Sequence, residues 1–204
     1  MTMFDFNDGN GPVPAHKHSN GGGWVADTAV VDATAYVASN ARVYGKANVL
    51  GNAQVLGKAK VYGNAEVSGK AWVYGDAEVY GYARVFGHAK ISDNAEVFGY
   101  AWVSVNAEVR HDAKVGGDAL VYGKVSENAR VFGNALIGIN ALVHGNAWVY
   151  DNARVSDTGR VFGNARVSGK TQVSGKDLVY GDAKETKQDR IFINGKWYEE
   201  VNDD

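Results

Sequence analysis

The 204-residue chain has no cysteine, and its only prolines are Pro12 and Pro14. Without cysteine there is no disulfide framework and no thiolate metal site, which fits a reducing cytoplasm but leaves the compartment open, the virion included. An excess of one charge is also missing. Lys+Arg total 21 against Asp+Glu 23, a net charge of −2, and no basic run occurs. The patch that neutralises phosphates in general nucleic-acid binding is therefore absent. No apolar run approaches the ~20 residues that span a bilayer. The opening Met-Thr-Met-Phe-Asp-Phe-Asn-Asp has neither a basic nor an apolar targeting segment. These absences predict a soluble chain with neither nucleic acid nor membrane as partner. Threonine is scarce as well, so the ordered threonine ladders of an ice-binding surface are excluded.

What the chain does have is one motif repeated. From Ala41 to Val103 the pattern Ala-x-Val-x-Gly-x recurs every six residues. An aliphatic residue holds every sixth position from Val25 to Val121, seventeen in all with Ile91 the one isoleucine. The series resumes from Val125 to Val179 with ten more, Ile137 the one isoleucine, giving twenty-seven units. Two residues before each sits a small residue, nearly always alanine; Gly23, Gly123, Gly159, Thr171 and Asp177 are the departures. Period-two spacing puts Ala and Val on one dry side of an extended chain and the x residues on the other. Gly followed by Asn, Lys or Asp after each valine is a sharp corner, because glycine and asparagine tolerate positive φ at least cost. Three corners close a triangle of eighteen residues. Parallel strands stack about 4.8 Å apart, so about nine coils make a prism roughly 43 Å long. A helix fails on both period and glycine content.

The units Asn-Ala-Gln-Val-Leu-Gly, Asn-Ala-Glu-Val-Ser-Gly and Asn-Ala-Arg-Val-Phe-Gly resemble the hexapeptide repeats of left-handed parallel β-helix proteins, the architecture of trimeric hexapeptide acyltransferases and γ-class carbonic anhydrases. The resemblance implies an all-β, left-handed, triangular parallel β-helix and a homotrimer. The handedness comes from the resemblance alone, since ordinary parallel crossovers are right-handed. The uninterrupted run, and the opening Pro-Val-Pro-Ala-His-Lys-His-Ser-Asn-Gly-Gly-Gly-Trp, also resemble hexapeptide proteins of bacteriophages and prophages. That likeness implies a virion decoration or fibre component with other virion proteins as partners.

Three segments are expected: an N-terminal arm or cap over residues 1–23, the helix over 24–184, and a linker with a C-terminal β-hairpin over 185–204. The hairpin turns at Asn194-Gly195, placing Phe192 opposite Trp197 and Arg190 opposite Glu199, with Tyr198 beside them. It reads as a cap for exposed strand edges or as a partner-binding tag.

A fold of this kind does not give a function, so the enzyme readings rest on sites. Acyl transfer on this scaffold implies a catalytic histidine between subunits and an inserted loop. No insertion interrupts the repeat, whose one irregularity is a two-residue deletion at Val121-Tyr122-Gly123-Lys124-Val125. His88 and His111 fall on corners and His144 points outward, without the close spacing of a three-histidine zinc site. The reading favoured is a non-enzymatic structural or interaction protein with no cofactor. His16 and His18, two apart in an extended arm, are the weak metal candidates, with Asp5 and Asp8 nearby.

The candidate binding surface is an aromatic stripe on the first face: Tyr44, Tyr62, Tyr80, Phe98, then Gly116, Phe132 and Tyr150, with Trp148 beside it. Three uses are open to it: a self-stacked ladder, a homotrimer interface, or a platform for a surface glycan. Charges before the core valines often alternate between coils, as in Lys60 with Glu78, Glu96 with Lys114, Glu66 with Arg84 and Lys90 with Glu108. Their expected use is register and solubility.

Overall fold

A computed structural model describes residues 2–181 and the strands Arg190–Ile193 and Lys196–Glu199. Each repeat unit supplies one two-residue strand made of the x residue and the valine, as in Arg42–Val43, Asn48–Val49 and Gln54–Val55. Successive units go to different sheets. The first face runs from Trp24–Ala26 through Arg42–Val43 to Arg166–Val167. The second runs from Val30–Val31 to Gln172–Val173, and the third from Tyr36–Val37 to Leu178–Val179. Pairing along each face is parallel and in register, Val61 beside Val43 and Val79 beside Val61. The chain is an all-β parallel solenoid of about nine three-sided coils.

The interior follows from the repeat. Ala and Val positions from Ala41 to Val121 are wholly buried. A buried valine side chain is worth about 1.5–3 kcal/mol against exposure, and β-branching suits the pleated inner wall. Backbone donors bond to carbonyls seventeen residues on, as Tyr44 N–H to Val61 and Tyr62 N–H to Val79, each at 3.0 Å. At the corners these coils nearly touch. A Cβ on Gly63, where φ is 72°, would lie 3.0 Å from the Gly81 nitrogen. Glycine is favoured there by both conformation and space.

The two-residue deletion shortens one corner between the second and third faces. Across it the backbone step falls to fifteen residues, Glu108 N–H bonding Gly123 and Arg110 N–H bonding Val125, both at 3.1 Å. Faces and register are kept, so Arg130 stacks in line with Lys114.

Residues before Trp24 extend the first sheet in the opposite sense. Strand β1 (Met3–Phe4) pairs antiparallel with β2 (Val13–Lys17), which pairs antiparallel with β3 (Trp24–Ala26). The arm thus covers the open edge of the first face. At the other end Arg190–Ile193 pairs antiparallel with Lys196–Glu199, Phe192 facing Trp197 and Arg190 facing Glu199 in register. The Asn194–Gly195 turn, the side chains of Phe192, Trp197 and Tyr198, and residues 182–189 lie outside the described residues.

Candidate functional site: the outer faces

The outward residue after each core valine of the first face forms a continuous stack. Ring centroids are 4.9 Å apart for Tyr44–Tyr62, 5.0 Å for Tyr62–Tyr80 and 5.2 Å for Tyr80–Phe98, with interplanar angles of 2°, 7° and 7°. The line does not start at Tyr44 on the surface. Phe6 of the arm stacks on Tyr44 at 4.8 Å, and Phe4 stacks on Trp24 at 4.2 Å. Tyr44 is left 7% exposed, so it does not belong to an accessible binding stripe. At the missing rung, Phe98 leans into the space over Gly116, where a Cβ would sit 2.6 Å from its ring. From there it meets Phe132 at 5.9 Å and 57°. Tyr150, further along, is half-buried.

The charged column beside this ladder is tied into it. Lys60 Nζ donates to Glu78 Oε1 at 2.8 Å and Tyr62 donates its phenol proton to Glu78 Oε2 at 2.9 Å. Lys114 donates to Glu96 at 2.7 Å and Tyr80 donates to it at 3.0 Å. Glu78 and Glu96 are direct neighbours in register, and each is matched by a lysine on its far side. Burial pushes the Tyr44 phenol up to about 12, aided by the negative charge of Glu78. Burial and the bonds to Glu78 and Glu96 raise Tyr62 and Tyr80 as well. Burial opposes the charge of Glu96, but bonds from Lys114 and Tyr80 and the charges of Lys114 and Arg130 outweigh it and hold its carboxyl below the usual range. Trp148 lies between Arg130 at 4.9 Å and Arg166 at 5.2 Å.

These contacts account for most of the stripe. Ring faces are covered by neighbouring rings about 5 Å away, so the flat surface that a sugar would need is occupied. Of the expected charge pairs, Lys60–Glu78, Glu96–Lys114 and Glu66–Arg84 form. Lys90–Glu108 does not: Glu108 takes Lys124 at 3.5 Å, and Lys90 lies over Trp72.

The large apolar side chains that are exposed lie elsewhere, most of them on the second face and its two edges. The x residues there read Arg84, Trp102, Leu120, Leu136, Arg154 in register. Trp102 is 40% exposed. On the edge toward the first face Tyr82 and Tyr100 stack at 4.9 Å and stand out in solvent. On the opposite edge Val105 and Ile139 are exposed on either side of the shortened corner. In the sequence this row is three consecutive uncharged x positions of one face, Trp102, Leu120 and Leu136, interrupting the charges that stand before most core valines.

The histidines are separated. His16 Nδ1 meets Asp27 at 2.8 Å, while His18 is buried with Nδ1 3.1 Å from the Asn20 carbonyl. The two do not share a site, because the strand ends at Lys17 and His18 enters a turn over Gly22. Asp5 and Asp8 bond within their own loop, to Asn7 and Asn10. His111 adopts φ 60° at a corner, and its N–H donates to Asp93 at 3.0 Å, a bond that lowers the Asp93 carboxyl. His144 stacks on Phe162 at 5.1 Å, and His88 is exposed at a corner. No group of three potential metal-binding side chains occurs among the described residues.

Four of the corners without glycine carry a second device. Asp93, Glu127, Asp151 and Asp157 have positive φ, and each carboxylate accepts the backbone N–H of the matching corner one coil on. Asparagine side chains run on in ladders, Asn128 to Asn146 and Asn146 to Asn164, each at 3.0 Å.

The faces and corners define a β-solenoid protein. Residues 160–175 match the family model described as YdcK beta solenoid repeat. Among solved structures, LpxA from Acinetobacter baumannii is similar with a TM-score of 0.38 and 16% identity, over 78% of this chain and 71% of that one. No curated protein matches the chain.

Proposed function

We propose that the protein is a structural and interaction element without a chemical step, a rigid prism that assembles with copies of itself through its second face. The observation that carries this reading is the uncharged row Trp102, Leu120, Leu136, framed by exposed Tyr82, Tyr100, Val105 and Ile139. In a parallel assembly around a symmetry axis each outward residue faces its own image. On the first face the images would be Arg42, Lys60, Glu78, Glu96 and Lys114, like charge against like charge, which is costly. On the second face the central images are apolar. An uncharged centre with Glu66–Arg84 at one end and Arg154 at the other has the apolar core and polar rim of an interface.

A homotrimer is the proposed state, supported by the resemblance to hexapeptide proteins. A decoration or fibre element of a phage particle is the setting supported by the likeness of the opening segment. Light scattering of the purified chain tests the reading, with three times the chain mass expected and a monomer at high concentration overturning it. Acetyl transfer from acetyl-CoA that vanishes on changing His88, His111 or His144 would overturn the non-enzymatic part.

A further inference from the structure

We propose that a groove across Trp72 on the third face binds an acidic sugar, a pyranose bearing a carboxylate. The groove encloses about 340 Å³ and is lined by Asn52, Gln54, Lys70, Trp72, His88 and Lys90. Trp72 is 40% exposed and sits in register between Gln54 and Lys90. Lys70 and His88 project from stacked corners beside it, Lys70 N–H bonding the Gly87 carbonyl just before His88.

The charge of this groove is unbalanced. No carboxylate lines it, and among the described residues neither Lys70 nor Lys90 has an acidic partner. Glu108, the acid next to Lys90 in register, is held by Lys124 at 3.5 Å. A comparable groove on the first face, about 410 Å³, shows the contrast. Of its three cations, Lys58 and Lys60 face Asp76 and Glu78, at 4.0 and 2.8 Å, and Arg42 donates to the Phe6 carbonyl at 3.0 Å. Both lysines of that groove thus have an acid within 4.0 Å, and its attraction for an anion is the weaker.

The lining matches an acidic sugar group by group. Lys90 lies over one face of the Trp72 ring, 5.6 Å from its centroid, and the exposed part of the indole offers apolar surface to the C–H side of a pyranose and an N–H at its edge. Two ammonium groups supply point charges for a carboxylate. The amides of Asn52 and Gln54 both donate and accept, as hydroxyl recognition requires. Single-stranded nucleic acid fits less well, because its binding uses successive aromatic platforms, and Trp72 is flanked in register by Gln54 and Lys90.

Calorimetric titration of the full chain with trigalacturonate, maltotriose and an oligo-thymidylate tests the assignment. Trigalacturonate is expected to bind, with maltotriose and the oligonucleotide weaker by about tenfold or more. Trp72→Ala, and the pair Lys70→Gln with Lys90→Gln, should each lower affinity by about tenfold, whereas Lys58→Gln in the first-face groove should not. Leu120→Arg, which breaks the proposed assembly, should bind unchanged, so failure of either proposal is seen separately. Absent trigalacturonate binding overturns the inference, as does binding that survives Trp72→Ala or a stronger affinity for the oligonucleotide. Thermal melts of each variant show whether a loss comes from unfolding.

Discussion

Phe6 lies flat on Tyr44, ring centroids 4.8 Å apart at 22°, and closes the first rung of the aromatic ladder. Phe6 is 2% exposed, so Phe6→Ala removes a buried ring at a cost of roughly 3 kcal/mol, within the range of large core truncations. In a solenoid the damage should stay near the end that loses its cover. Hydrogen exchange is expected to speed at Val43 and Tyr44 and to remain unchanged near Val143.

Tyr62 ties the ladder to the charge column by its bond to Glu78. Tyr62→Phe keeps the ring stack but leaves a half-buried carboxylate with one donor fewer, costing about 1 kcal/mol. The midpoint of denaturation should fall slightly. A larger loss should follow Tyr62→Ala, which also opens the stack.

Alkaline titration reads the same groups. Tyr44, Tyr62 and Tyr80 keep their protons to higher pH when folded. Their contribution is full below the ordinary tyrosine value of about 10 and is lost as pH rises beyond it, because the unfolded chain ionises first. Stability should decline above that value, and less steeply in Tyr62→Phe. Glu96 works in the other direction: its lowered carboxyl gives stability that is lost as pH falls through the carboxylate range. Glu96→Gln should flatten the acid limb of a stability–pH curve.

Val105 holds φ 63° at a corner where Gly87, one coil earlier, has φ 71°. A β-branched residue in the left-handed region costs about 1–2 kcal/mol. Val105→Gly should therefore stabilise the chain by about 1 kcal/mol, read as a higher melting temperature, while weakening self-association by trimming the exposed rim. Gly63→Ala should destabilise, since its Cβ would press on the backbone of Gly81.

The repeat made the fold legible because each residue's role recurs every six positions. Val43 and Ala47 are buried for the same reason as Val97 and Ala101, and one explanation serves nearly every unit. The ladder from Tyr44 to Phe98 was legible too, since residues one coil apart must stack. Three features were not. Cover of Tyr44 by Phe6 depends on an arm outside the repeat. Phe98 filling the space at Gly116 depends on a side-chain lean that no periodicity encodes. The gathering of exposed Trp102, Val105 and Ile139 on one face depends on which outward positions are apolar, and the repeat leaves those positions free to vary. His16 and His18 take separate partners, Asp27 and Asn20, because period-two alternation ends where the strand ends, at Lys17.

The most direct measurement compares the solution masses of two variants that each place an arginine on a different face. Leu120→Arg puts a charge in the middle of the second-face row, and Phe132→Arg puts one on the first-face stripe. Light scattering is expected to give a folded monomer for Leu120→Arg and the wild-type oligomer for Phe132→Arg. The reverse pattern, a dissociated Phe132→Arg beside an intact Leu120→Arg oligomer, would contradict assembly through the second face.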